Sequence, residues 1–230
     1  MTARTMCRFV CFEGIDGSGK STLARLVTKR LQDVGVDAVL ASQKTLDFAD
    51  PFVRSHMTTL KRMLWDYPTD ANISLPGDRH WLHLLSAWYA ALDAAVVRPR
   101  LESGQWVICD GWVYKYLARF ALKPHIGEAF AEQCFAGLTT PDAVYYLDID
   151  PQTSFARRTR FRPTELGAYD DVRGEPEASY IVYQSRVRDV YARYRREANW
   201  RRLDAGRQSP DELVDAVLFQ GSDFRGPSIR

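Results

Sequence analysis

The stretch "FEGIDGSGKST", Phe12 to Thr22, limits what this chain can fold into more than any other. It satisfies G-x-x-x-x-G-K-[ST], with Gly14, Gly19, Lys20 and Ser21 in the defining positions. The apolar run "RFVCF" stands directly before it. Behind it, Ser21 to Val34 places Leu23, Leu26, Val27, Leu31 and Val34 on one stripe, which Gly35 ends. A buried strand, a glycine loop and an amphipathic helix in that order predict a phosphate cradle. The glycines let the backbone curl until successive N–H groups point at phosphate oxygens, Lys20 neutralises the outer phosphates, and Ser21 reaches a magnesium ion. Gly14, Gly17, Ser18, Gly19, Lys20, Ser21 and Thr22 are therefore the expected contacts of a nucleoside triphosphate.

Four more short runs, "DAVLA", "WVICD", "AVYYLD" and "WRRLDA", alternate with segments of helical spacing. That alternation predicts an α/β fold, a parallel sheet covered by helices on both faces. At 230 residues the chain suits one well-buried domain, expected over 1–220 with a flexible tail at 221–230. One long helix is expected from Asp78 to about Ser103. In "SPDELVDAVLF", Ser209 stands as N-cap and Pro210 at the first helical position.

Charge and composition narrow the partners. Lys and Arg number 31 against 29 Asp and Glu, a formal net charge of +2, so no overall field marks a nucleic-acid or membrane-surface binder. The four cysteines show no zinc spacing and read as buried thiols of a reducing cytoplasm. The N-terminal segment has only a brief apolar run and predicts neither signal peptide nor anchor. The longest apolar stretch, Leu84 to Val97, contains Asp93 and is too short to cross a bilayer.

Two further elements bear on chemistry. Asp110 closes the strand "WVICD", where a second acid would hold magnesium through water; the alternative is an ordinary cap of the next helix. Asp148 is a weaker candidate for the same task, and Asp150 before Pro151 is expected to cap a helix. The N-K-x-D element of guanine-specific GTPases is absent, as are the signature blocks of motor ATPases, which leaves a small-molecule phosphotransferase. Such an enzyme needs a closing lid that excludes water and carries cations for the transition state. "RRTRFRPTELGAYDDVRG", residues 157–174, supplies Arg157, Arg158, Arg160 and Arg162; a solvated arginine face is the alternative.

In these blocks, together with "VVRPRLESGQWVICD", "PDAVYYLDIDPQTSFARR" and "RLDAGRQSPDELVDAVL", the chain resembles thymidylate kinases. The resemblance covers about half of the chain, in order and spacing. It implies the P-loop kinase fold of the nucleoside monophosphate kinases, a five-stranded parallel sheet flanked by helices with a lid insertion. It also implies ATP and Mg2+ on the loop, and often a homodimer. In that family the acid matched by Asp16 contacts the acceptor's sugar hydroxyl, and members without a P-loop arginine carry their catalytic arginines in the lid. With Gly17 in the loop and Arg158, Arg160 and Arg162 in the lid, this chain is similar to that second type. Asp16, Lys20 and these three arginines form the expected catalytic set, and Ser21 and Asp110 the metal set.

The acceptor side departs from the resemblance. The family's Asp-Arg-Tyr is here Asp110, Gly111 and Trp112. Its phosphate-binding arginine falls on Tyr89, its base-stacking phenylalanine on Leu85, and its Arg-Glu-Pro-Gly segment keeps only Lys44 as a cation. A phosphate closed into a site without charged partners costs several kcal/mol. If the segment after Gly111 is helical, Lys115 and Arg119 share one face and can replace the lost cations, or they are surface cations. Lys44, Leu85, Tyr89, Trp112, Lys115 and Arg119 join Asp16 as the expected acceptor contacts. Three readings stay open: a kinase of a nucleoside monophosphate; a kinase of a nucleoside or other hydroxylated metabolite, with Trp81, Trp88, Tyr89 and Trp112 lining an aromatic pocket; or a nucleotide-binding regulator without transfer chemistry. Replacing Lys20 with Ala is expected to abolish turnover in a steady-state assay while circular dichroism shows the fold retained.

Overall fold

The structure, a computed structural model, describes residues 8–42, 48–68, 70–194 and 197–220. Lys44, Cys7 and the expected tail 221–230 lie outside them. Strand β1 (Phe9–Glu13) leads through the glycine loop into α1 (Lys20–Asp33), followed by β2 (Ala38–Ala41) and α2 (Pro51–Trp65). Next come α3 (Asp78–Leu92), α4 (Arg98–Glu102), β3 (Trp106–Cys109), α5 (Tyr114–Phe120) and α6 (Glu128–Cys134). The chain continues through β4 (Ala143–Asp148), α7 (Pro151–Ala156), α8 (Pro176–Tyr194), β5 (Trp200–Asp204) and α9 (Pro210–Asp215).

The five strands form one sheet in the order β2-β3-β1-β4-β5, every pairing parallel. This is the α/β architecture that the alternating runs predict. Strands β1, β3 and β4 are buried at every position, because helices cover both faces and leave no wet side for polar alternation. Val10, Cys11, Val107, Ile108 and Val144 form its fully buried centre. All strand carboxyl ends lie on one side, where ligands of open α/β sheets bind.

Helix starts follow their sequence signals. Asp50 and Asp150 cap α2 and α7, each accepting from backbone N–H groups of the first turn, with Pro51 and Pro151 at the first helical positions. Ser209 and Glu212 form a reciprocal capping box on α9. Asp148 is no free strand-end acid: its carboxylate accepts from Arg188 at 3.0 Å and Arg202 at 2.7 Å.

Two expectations change. Helix α1 ends at Asp33, and Val34 is 46% exposed rather than on the buried stripe, because the chain is already unwinding into Gly35 at φ +82°. The long helix from Asp78 is interrupted by a π turn, Asp93–Val97, before α4. Pro99 has no N–H and crowds the carbonyl four residues back, so the preceding turn widens and Arg98 N bonds to Asp93 O instead. The buried Asp93 carboxylate accepts from Arg98 Nε at 2.7 Å and from Thr139 N at 3.2 Å, which ties the widened turn to the loop before β4. Ile108 has no exposed surface in the central strand pair, so Ile108→Ala should cost about 2–5 kcal/mol, read as a lowered urea midpoint at unchanged slope.

Candidate active site

The P-loop begins where β1 ends. Gly14, Gly17 and Gly19 have φ of +147°, +75° and +99°, values that side-chain-bearing residues rarely adopt. At Gly17 a Cβ would also lie 2.6 Å from Ser154 Oγ and 2.8 Å from Arg158 Cδ. The aliphatic stem of Arg158 thus occupies the space beside the loop where any side chain at position 17 would have to go. Gly19 is the N-cap of α1 and offers no capping side chain, so the first-turn N–H groups are left for a ligand.

Lys20 Nζ, at the start of α1, folds back onto the carbonyls of Gly14 at 2.8 Å and Ile15 at 2.7 Å. Burial, with Lys115 nearby, pushes its pKa down to about 8. An ammonium whose burial outweighs the pull of Asp16, Glu13 and Asp110, beside uncapped amides and side-chain-free glycines, fits a polyphosphate. Ser21 and Asp110 both face the same cavity, and Ser42 Oγ donates to Asp110 Oδ2 at 3.1 Å. Among the described residues no three His, Cys, Asp or Glu side chains gather to hold a metal. One hydroxyl and one carboxylate suit Mg2+, which takes hard oxygens and completes its shell with phosphate and water.

The cavity has a volume of about 810 Å3, near the upper end for ligand pockets. Asp16 lies on its wall, 6% exposed. Its Oδ1 accepts from Lys115 Nζ at 2.6 Å and its Oδ2 from Arg119 Nη2 at 2.6 Å. The segment after Gly111 is indeed helical, and α5 presents Lys115 and Arg119 one turn apart toward the P-loop. Gln184 of α8, fully buried, completes the clamp: Asp16 N donates to its Oε1 at 3.1 Å, and its Nε2 donates to Asp16 Oδ2 at 3.2 Å. Burial raises the Asp16 pKa, but Lys115, Arg119 and Lys20 outweigh it and hold the carboxyl well below its ordinary range. Behind the loop, Glu13 is wholly buried and accepts from Trp112 N and Tyr191 OH, both at 2.8 Å. Burial raises its pKa.

The other expected site residues divide. Arg158 and Arg162 face the cavity, whereas Arg160 is exposed and does not line it. Arg158 Nη2 pairs with Glu165 at 3.0 Å, while its buried Nη1 has no hydrogen-bond partner among the described residues. Leu85, Tyr89 and Trp112 reach the cavity from its floor but are almost fully buried, Tyr89 packing edge-on to Trp112 at 5.2 Å. Trp81 lines the cavity with its indole N–H donated to Ile73 O, and Trp88 packs against Trp65 in the core instead. Gln184 had a readable signal, a polar residue on the buried stripe of Tyr180, Val187 and Tyr191. Ser154 and Tyr180, which both donate to Asp16 O, had none.

No family model matches the chain. It is 31% identical over 223 residues to a thymidylate kinase of Roseiflexus sp. strain RS-1, covering 92% of each chain. To the thymidylate kinase of Roseiflexus castenholzii it is 30% identical over 222 residues, covering 92% of this chain and 91% of that one. A probable thymidylate kinase 2 of Saccharolobus solfataricus is 26% identical over 222 residues, at 92% and 94% coverage. At pH 9, where free Lys20 is mostly neutral, bound phosphates will draw a proton back onto it. ATP binding is therefore expected to take up protons, read by calorimetry in buffers of different ionisation enthalpy.

Proposed function

The chain belongs to the thymidylate kinase family, and on that premise we propose that it transfers the γ-phosphoryl group of ATP to a nucleoside monophosphate, thymidylate or a relative, held by Lys115 and Arg119. The observation that carries this reading is the bracket around Asp16, two cations from one helix face set beside the P-loop in the same cavity. They stand in for the guanidinium groups missing at Gly111 and Tyr89.

The same bracket weighs against a hydroxyl acceptor. A sugar hydroxyl must lose its proton as it attacks, so it needs a base. Asp16, held ionised by two cations, has little affinity for a proton. A phosphate monoester has its second pKa near about 6 and presents an anionic oxygen at neutral pH without any base. Asp16 then acts by orientation: it keeps Lys115 and Arg119 extended into the cavity and can meet a sugar hydroxyl.

Lys20 and the loop amides hold the donor phosphates, with Ser21 and Asp110 on the magnesium side. Mg2+ there would offset the charge of the donor phosphates. Arg158, whose Nη1 has no hydrogen-bond partner among the described residues, stabilises the charge that develops on the transferred group, and Arg162 joins it from the closing segment 157–174. The open aromatic side, Trp81 foremost, receives the acceptor's base in place of the side chain at Leu85. The proposal extends to the cytoplasm, which fits the free thiols of Cys11 and Cys109, both buried, and of the partly buried Cys134, and to the homodimer that the resemblance implies. Among the described residues no helix is long and apolar enough to cross a membrane.

The test is an acceptor panel with purified protein and MgATP. Thymidylate or a related monophosphate should be phosphorylated and free nucleosides left unchanged; the reverse pattern overturns the reading. In the same assay Arg119→Met should raise the acceptor KM about tenfold or more, equal to about 1.4 kcal/mol, with the KM for ATP nearly constant.

A further inference from the structure

We propose that Lys123 is a positioning residue that latches segment 157–174 over the acceptor and so keeps water from the transferred phosphoryl group. The inference rests on the phosphotransfer reading above. Lys123 follows Lys115 and Arg119 at the same four-residue interval, just past the end of α5. Its Nζ donates to Tyr169 O at 3.0 Å and pairs with Asp170 Oδ1 at 2.8 Å, both in the closing segment. It also pairs with Asp78 Oδ1, in the first turn of α3, at 3.1 Å. His125 Nε2 meets the other oxygen of Asp78 at 2.8 Å.

One ammonium thus joins three parts of the chain that share no strand. The side chains of Lys123 and Asp170 are only 13% and 8% exposed, so solvent screens the pair weakly. Among the described residues two other charged donors bridge the segment to the body, Arg162 to Trp65 O at 3.4 Å and Arg186 to Asp170 O at 3.5 Å. Both are exposed and longer. Lys123, Asp78, Tyr169 and Asp170 all face the acceptor cavity. The helix that meets the acceptor near its start therefore fastens the cover at its end, and an acceptor seated on Lys115 and Arg119 steadies the latch.

With the latch released, water reaches the site and takes the γ-phosphoryl group in the acceptor's place, giving ADP and inorganic phosphate. The experiment compares the full-length chain with Lys123→Met and Lys123→Arg in two measurements. One is the ratio of acceptor-independent ATP hydrolysis to transfer; the other is amide hydrogen exchange across 163–172. Lys123→Met should raise the ratio about tenfold or more, raise the acceptor KM while sparing that for ATP, and speed exchange in the segment. Lys123→Arg, which keeps the charge and the donors, should restore all three. Asp170→Asn, which weakens only the segment's side of the latch, should move them in the same direction and decides the matter if Lys123→Met does not fold.

A folded Lys123→Met with wild-type ratio and wild-type exchange overturns the latch, and so does failure of Lys123→Arg to restore them. If the wild-type protein transfers phosphate to no acceptor, the phosphotransfer reading falls, and the exchange measurement still judges the latch.

Discussion

A carboxylate taken out of water is tolerated only where opposite charge and hydrogen bonds replace its hydration, and Asp16 meets that demand with groups from two helices. Lys115 and Arg119 reach it from α5, and Gln184 from α8. Removing one partner of such a buried pair typically costs about 3–5 kcal/mol, so the charge balance fixes where α5 and α8 stand relative to the P-loop. Ser154 and Tyr180 then hold the Asp16 carbonyl from α7 and α8. The P-loop, the Lys115 and Arg119 pair and the roots of segment 157–174 are consequently registered to one residue.

That registration sets Arg158 of segment 157–174 directly beside the loop. At Gly17 the backbone is left-handed and a Cβ would collide with Ser154 and Arg158. A P-loop arginine has no room there, and Arg158 reaches the cavity from the position that such a side chain would contest. Glu165 holds one side of its guanidinium and Gln184 holds the carbonyl of Glu165. Gln184 thus touches both the Asp16 carboxylate and the residue that pairs with Arg158. Glu13 supports the arrangement from behind by fixing the turn at Trp112 and the hydroxyl of Tyr191.

The sheet and its order of elements were readable because each strand is a continuous apolar run and each crossover helix has its own period or cap. The donor half was readable because a phosphate cradle is built from neighbours in sequence, Gly14 through Thr22. The far side of the cavity was readable only as a choice: Lys115 and Arg119 share a helix face, but nothing local says whether that face meets solvent or a cavity. Arg158, Arg160 and Arg162 looked equivalent in sequence, and packing separated them by turning Arg160 outward. Trp81 and Trp88, grouped as candidate pocket aromatics, parted for the same reason.

By itself, then, the sequence determined a parallel α/β chain with a phosphate-binding loop, since loop curvature, strand burial and helix capping are set by residues within a turn or two of one another. Only the tertiary structure decided the partners of Asp16. Lys115 lies 99 residues away and Gln184 lies 168 away, and whether such groups meet depends on how helices pack across the sheet, which buried charge then locks in place.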